Sequence, residues 1–327
     1  MLQAESLGKT YRVAEKESGM AGTLRHVFRR KTRDVHAVRD VTFHVAEGEF
    51  VGFIGANGAG KTTTLKMLSG LIRPSHGRVR VANFDPFRRQ RAFLRQITII
   101  MGQKQQLIWD LPAIDTLRIN AAVYELERGE AERRVAELAE MLDVARLLTT
   151  PVRKLSLGER MKCELLAALL HHPRVLFLDE PTLGLDINAQ EAIRGFLELY
   201  NQRYGATVLL TSHYMADITA LCSRVLIIHE GSLLYDGSLT EIVERLMPSR
   251  EIELHLAEPV PREVLAEFGE VSQLEGTSAS LVVERSQVQR SVVAIFDRLR
   301  PIDLFVKEPA IERVIAPLLK GQGLGTP

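Results

Sequence analysis

Short apolar runs alternate along the chain with longer stretches in which apolar residues recur every three or four positions. The first arrangement predicts buried strands and the second amphipathic helices. Residues 50–54 are apolar throughout except Gly52, as a strand covered on both faces requires. Residues 41–45 alternate apolar and polar and predict a neighbouring strand, set off by the turn Glu47-Gly48-Glu49. Runs at 97–101, 175–178, 208–210 and 225–228 predict further buried strands, and residues 62–71, 131–142, 159–170 and 189–203 predict helices. Strands interleaved with helices imply an α/β core. Residues 107–155 carry no convincing strand and read as a helical insertion.

The pattern changes near Met247-Pro248-Ser249-Arg250. Beyond it, strands are expected at 251–256, 280–284 and 304–307, and helices at 262–268 and 287–299. The order β-α-β-β-α-β is that of a small α+β module. The expected division is 1–246 and 247–327, with a frayed tail at 321–327 and no phosphate loop or metal-ligand cluster in the second part.

Composition narrows the classes. The 327 residues hold 42 Lys+Arg against 41 Asp+Glu, a formal charge of +1, which argues against a dedicated nucleic-acid binder. Hydrophobic residues make up 46 %, enough for a large core. Cys163 and Cys222 are too few for a disulfide framework or a zinc site, so a reducing compartment is expected. No apolar run reaches the roughly 18–20 residues that span a bilayer, and residues 1–16 lack a signal-peptide core.

Gly55-Ala56-Asn57-Gly58-Ala59-Gly60-Lys61-Thr62 matches G-x-x-x-x-G-K-[ST], between a predicted strand and a predicted helix. Its glycines let backbone N–H groups converge on phosphate, and the helix start adds positive potential. Lys61 is suited to the β- and γ-phosphates and Thr62 to Mg²⁺, with Thr63 following in the helix. A second element, Val175-Leu176-Phe177-Leu178-Asp179-Glu180, carries two carboxylates to the end of an apolar strand, where open α/β sheets bind ligands. Asp179 is suited to hold Mg²⁺ through water and Glu180 to act as general base on an attacking water. An acidic turn at a strand end is the bland alternative for the pair; the phosphate loop outweighs it.

Further short motifs follow in a fixed order. Leu155-Ser156-Leu157-Gly158-Glu159 resembles the LSGGQ signature of ATP-binding-cassette (ABC) ATPases, with Leu157 and Glu159 in place of the usual Gly and Gln. Gly184-Leu185-Asp186 resembles their D-loop, Thr211-Ser212-His213 their switch histidine, and Gln103 their Q-loop. Tyr11, in Gly8-Lys9-Thr10-Tyr11-Arg12, resembles the aromatic residue that stacks on adenine. The resemblance covers about residues 1–245. It implies a P-loop NTPase cassette: a RecA-like core, an antiparallel β subdomain and a helical subdomain at about 104–160. It also implies ATP and Mg²⁺ as cofactors, Gln103, Glu180 and His213 as catalytic residues, and Thr62, Gln103 and Asp179 at the metal. Ser156, Gly158 and Asp186 would belong to the nucleotide site. Ser156 and Glu159 also form a capping-box pattern in their own right.

By the same resemblance, two cassettes face head to tail and each ATP lies between one phosphate loop and the opposing signature. A homodimer is expected, and a heterodimer stays open. Without a span of its own, the chain would serve a separate membrane permease from the cytoplasmic face of the cell membrane. Residues 105–112 are the expected docking surface; Trp109 there suits either packing or partner contact. A basic stretch at 24–33, within an insertion at about 13–35, suits either a membrane surface or a solvated arm. The C-terminal module resembles the tail of ATPases serving ABC-2-type permeases, many of them exporters. The alternative is a soluble ABC ATPase acting on ribosomes or DNA. The single phosphate loop and short helical insertion count against it, and no nucleic-acid partner is expected.

Overall fold

The computed structural model describes residues 1–14, 32–102, 105–246 and 249–307. Gln103, residues 24–31 of the basic stretch, Met247, Pro248 and the tail from 308 lie outside the described residues. The chain falls into two compact units, Met1–Gly237 and Ser238–Pro327.

In the first unit, strands β1 (Leu2–Ala14), β2 (Thr32–Val45) and β4 (His76–Val81) form an antiparallel sheet in the order β2-β1-β4. A six-stranded sheet has the order β5-β6-β7-β3-β8-β9. Its strands are β3 (Phe50–Ile54), β5 (Ile97–Met101), β6 (Val175–Asp179), β7 (Thr207–Thr211), β8 (Arg224–His229) and β9 (Ser232–Ser238). β5, β6, β7, β3 and β8 run parallel. Strands β3, β6 and β7 are buried at every position, which explains their apolar runs, broken only by Gly52 and by Asp179, Thr207 and Thr211 at strand ends. One core joins the two sheets: Leu2, Leu7 and Phe43 pack with Phe53, Phe177 and Leu226, and with Leu65 and Leu68 of helix α1 (Lys61–Leu68).

Each predicted buried strand is present. The pattern hid others. β1 buries Leu2 and Ala4, then shifts phase at a bulge and buries Leu7, so a period of two never establishes itself. β9 is a half-buried strand at the sheet edge. Past the short helix α2 (Arg91–Leu94), residues 107–155 hold α3 (Ala113–Val123) and α4 (Arg128–Met141), and no strand. α3 escapes a periodicity reading because Ala113, Leu117 and Ala121 are buried while Ile119 and Val123 are exposed, leaving both faces apolar. Helices α5 (Leu157–Leu169), α6 (Ile187–Tyr204) and α7 (Met215–Leu221) complete the unit.

Trp109, for which packing was one of two readings, is 45 % exposed. Cys163 and Cys222 are buried as expected, and burial pushes the Cys163 thiol up to about 12. His171, in the helix-ending turn, stacks on Tyr124 with ring centroids 3.8 Å apart.

The second unit opens with α8 (Leu239–Leu246). It continues β10 (Ser249–His255), α9 (Arg262–Leu265), β11 (Glu270–Glu275), β12 (Ser278–Glu284), α10 (Val288–Leu299) and β13 (Asp303–Lys307). The expected β-α-β-β-α-β order is present, folded as an antiparallel sheet β11-β12-β10-β13, with β11 the one strand of the four that the residue pattern did not locate. Ile252, Leu254, Leu265, Leu281 and Ile295 form its core.

Candidate functional site

Parallel register brings the ends of three strands level: Met101 pairs with Asp179, and Asp179 with Thr211. Beside β7, strand β3 runs into the loop at residues 55–60 and then into α1. Gly60 caps α1 with φ +110, a left-handed conformation that disfavours side chains, and a Cβ there would stand 2.5 Å from the Ala37 carbonyl oxygen. Only glycine lets the loop lie against β2 in this way. Glycine also leaves no side-chain cap on the helix, so its first N–H groups remain available to an anion.

Lys61 is 6 % exposed. Its ammonium donates to the carbonyls of Gly55 at 2.6 Å and Ala56 at 3.2 Å. Burial lowers its pKa, while the nearby carboxylates of Glu180 and Asp179 oppose that shift. The Thr62 hydroxyl donates to Asp179 Oδ2 at 2.9 Å, and the Thr211 hydroxyl donates to Asp179 Oδ1 at 2.7 Å. Asp179 is 9 % exposed, with both oxygens engaged. The paired hard oxygens of Thr62 and Asp179 are the donor chemistry that Mg²⁺ takes.

Glu180 has φ +56, uncommon for a residue with a side chain and a form of strain seen at working sites. Its backbone N–H is held by both the carbonyl and the hydroxyl of Thr211, at 3.0 and 3.2 Å. Its Oε1 lies 2.9 Å from His213 Nε2. The carboxylate is thus oriented by a neighbouring strand end and keeps partial access to solvent. Lys61, Thr62, Asp179, Glu180 and His213 form one contiguous cluster at the phosphate loop.

Ser156 and Gly158 belong to a second cluster, around the start of α5. The Ser156 hydroxyl accepts from the Glu159 N–H at 3.3 Å, and Glu159 Oε2 accepts from the Ser156 N–H at 2.8 Å. These two hydrogen bonds complete the capping box, and the Ser156 backbone N–H, followed by the Ser156 side chain, holds the Glu159 carboxyl below its ordinary range. The N–H groups of Leu157 and Gly158 are left over, as at any helix start. A Cβ on Gly158 would meet Ala189 Cβ at 2.8 Å, so α5 begins hard against α6. Asp186 caps α6 by accepting from the Ala189 N–H at 2.9 Å, which places it beside the same turn. Tyr11 lies in the antiparallel sheet, opposite Val35, with the Lys9 ammonium 5.2 Å from its ring centroid. Val35 is two residues along β2 from the Ala37 carbonyl that abuts Gly60.

Sequence reasoning missed Asp217. It is 1 % exposed and accepts from Thr182 and Ser212 hydroxyls at 2.5 and 2.7 Å and from Arg194 at 2.9 Å. This network fixes the residues that follow Glu180 and precede His213. An acid four residues after His213 in an otherwise apolar helix was the available signal.

Residues 38–183 match the family described as ABC transporter, and residues 248–307 match the EvrA-like ABC transporter C-terminal domain. The chain is 35 % identical to the ABC transporter ATP-binding protein NatA of Bacillus subtilis, over 66 % of this chain and 88 % of that protein. It is 33 % identical to the Nod factor export ATP-binding protein I of Burkholderia pseudomallei, over 78 % of this chain and 83 % of that one. Similarity to the bacitracin transport ATP-binding protein BcrA of Bacillus licheniformis is 33 % over 67 % of this chain and 70 % of that protein. Among solved structures, the ATP-binding subunit of an ABC transporter superposes with a TM-score of 0.61 and 29 % identity, over 75 % of this chain and 92 % of that one. A dimeric ATP-binding cassette in a post-hydrolysis state with ADP and Pi shares the fold, with a TM-score of 0.60 and 22 % identity over 73 % of this chain and 98 % of that one.

Proposed function

The chain belongs to the ATP-binding proteins of ABC transporters, and we propose from that premise how its residues divide the work. It is the subunit that binds and hydrolyses ATP. Phosphate oxygens take over from the Gly55 and Ala56 carbonyls as acceptors for the buried Lys61 ammonium, beside the free N–H groups of α1. Thr62 and Asp179 are the residues that would hold Mg²⁺, which when bound would supply neutralisation of phosphate charge. Glu180 accepts a proton from the attacking water, and His213 orients it from the adjacent strand. Tyr11 would stack on the adenine, and Gln103, outside the described residues, keeps the role toward metal and water that its place in the motif order implies.

The N–H groups without intrahelical partners at the start of α5 receive the γ-phosphate bound by a second copy, with Ser156, Gly158 and Asp186 lining that side. Two copies then close over two nucleotides. Among the described residues no helix is long and apolar enough to cross a membrane. Closure would act on a separate membrane-spanning permease, a reading supported by the transporter relatives. The relatives named for Nod factor export and for bacitracin transport support an export reading of the ABC-2 type. That role places the chain on the cytoplasmic face of the membrane.

The cluster of Lys61, Thr62, Asp179, Glu180 and His213 carries this reading. Measuring nucleotide affinity in Lys61→Ala tests it. A loss of about 10-fold or more is expected for a buried charge-assisted contact to phosphate. Unchanged affinity would contradict it.

A further inference from the structure

Glu164 lies in α5 and is 4 % exposed, a carboxylate that burial penalises unless its oxygens are satisfied. Its partners come from another segment. The Gln106 N–H points at Oε2 from 2.9 Å and at Oε1 from 3.1 Å, and the Leu107 N–H points at Oε1 from 3.3 Å. Burial pushes the carboxyl up, and those two amides with Arg160 draw it back toward the ionised form.

Directly beyond Leu107 the chain turns outward: Ile108, Trp109 and Leu111 are 42, 45 and 38 % exposed. This strip is tied at further points to α5 and to the residues leading into it. The Arg160 guanidinium lies 5.7 Å from the centroid of the Trp109 ring. The Arg153 N–H donates to the Trp109 carbonyl and the Val152 N–H to the Leu111 carbonyl, each at 3.0 Å. The Arg153 side chain reaches Asp110 at 3.1 Å. The apolar strip and the turn at Ser156–Gly158 therefore sit at two ends of one bonded unit, with Glu164 as its buried fastening.

We propose that Glu164 is a positioning residue that makes the exposed strip at Trp109 move with the anion-receiving start of α5. Nucleotide closure is then felt at the apolar surface offered to the membrane partner. The proposal rests on the reading that the start of α5 receives nucleotide from a second copy. The physical reason lies in the acceptors. A glutamine in place of Glu164 offers one carbonyl oxygen and an NH₂ that cannot accept, so the clamp on two N–H groups loosens without loss of volume.

Trp109 is the only tryptophan in the chain, so its fluorescence reads the strip directly. The full-length chain carrying Glu180→Gln is titrated with ATP and Mg²⁺, with binding followed by calorimetry and dimer formation by sedimentation. The same titration is run with Glu164→Gln added, and separately with Arg160→Met added. Expected are a Trp109 emission change on dimer formation in the parent, and loss of most of that change in Glu164→Gln with ATP affinity held within a few-fold. Arg160→Met, which leaves the buried clamp intact, is expected to alter the resting emission and keep an ATP response; it serves if Glu164→Gln fails to fold, and a silent Trp109 in it would then overturn the proposal. A full-sized response in a folded Glu164→Gln overturns the proposal, as does a silent Trp109 in a parent that binds ATP and dimerises. A parent that fails to bind ATP overturns the nucleotide reading instead, and the proposal with it.

Discussion

His213 Nε2 stands 2.9 Å from Glu180 Oε1, and the two residues follow adjacent parallel strands, β7 and β6. The imidazole fixes one carboxylate oxygen while the strained backbone of Glu180 fixes the other end of the side chain. His213→Ala leaves the proposed base, Glu180, present and without that contact. It should lower kcat by about 10²-fold with little change in KM, as steady-state phosphate release would record.

Thr62 and Thr211 grip opposite oxygens of Asp179 from α1 and β7. Thr62→Val keeps the shape and removes one hard-oxygen donor. The Mg²⁺ concentration for half-maximal ATPase should rise about 10-fold. Thr211→Val removes both a donor to Asp179 Oδ1 and an acceptor from the Glu180 N–H, so it should in addition lower kcat at saturating Mg²⁺.

Much of this site was legible beforehand, for a physical reason. The loop at 55–62 works through local backbone chemistry, so eight consecutive residues declare it. Glu180 and His213 were readable from their places in the motif order, though not as isolated residues. Asp217 and Glu164 were not readable, because apart from Ser212, five residues before Asp217, the groups that satisfy them lie 23 to 58 residues away and include plain backbone N–H groups. β1 was lost to its bulge in the residue pattern, and the antiparallel sheet that carries Tyr11 was expected from the family resemblance instead.

Glu159 replaces the glutamine usual in the signature, and its carboxylate sits at the start of α5, closing the capping box. A negative charge there favours the helix and disfavours an incoming γ-phosphate. Glu159→Gln can still accept from the Ser156 N–H. Nucleotide-driven dimerisation should strengthen about two- to fivefold at low salt, and less at high salt, while thermal stability falls slightly.

His171 is buried against Tyr124, and its Nε2 lies 3.2 Å from the Ile97 carbonyl; burial pushes its pKa down to about 4 from an ordinary 6.5. The folded state therefore disfavours a proton that the unfolded chain takes up. Stability from the neutral ring is present above pH 6.5 and is lost as pH falls toward 4, about 3 kcal/mol in all. Comparing the melting temperature of wild type and His171→Phe across that window tests the assignment. The variant, which keeps an aromatic ring against Tyr124, should lose less stability on acidification than wild type.

Under the proposed function, hydrolysis at this cluster depends on one carboxylate, that of Glu180, and a single-turnover assay of Glu180→Gln examines it most directly. The account predicts ATP bound with near-native affinity, hydrolysis slowed by about 10²-fold or more, and a stable ATP-bound dimer by sedimentation. Wild-type turnover in that variant would contradict it.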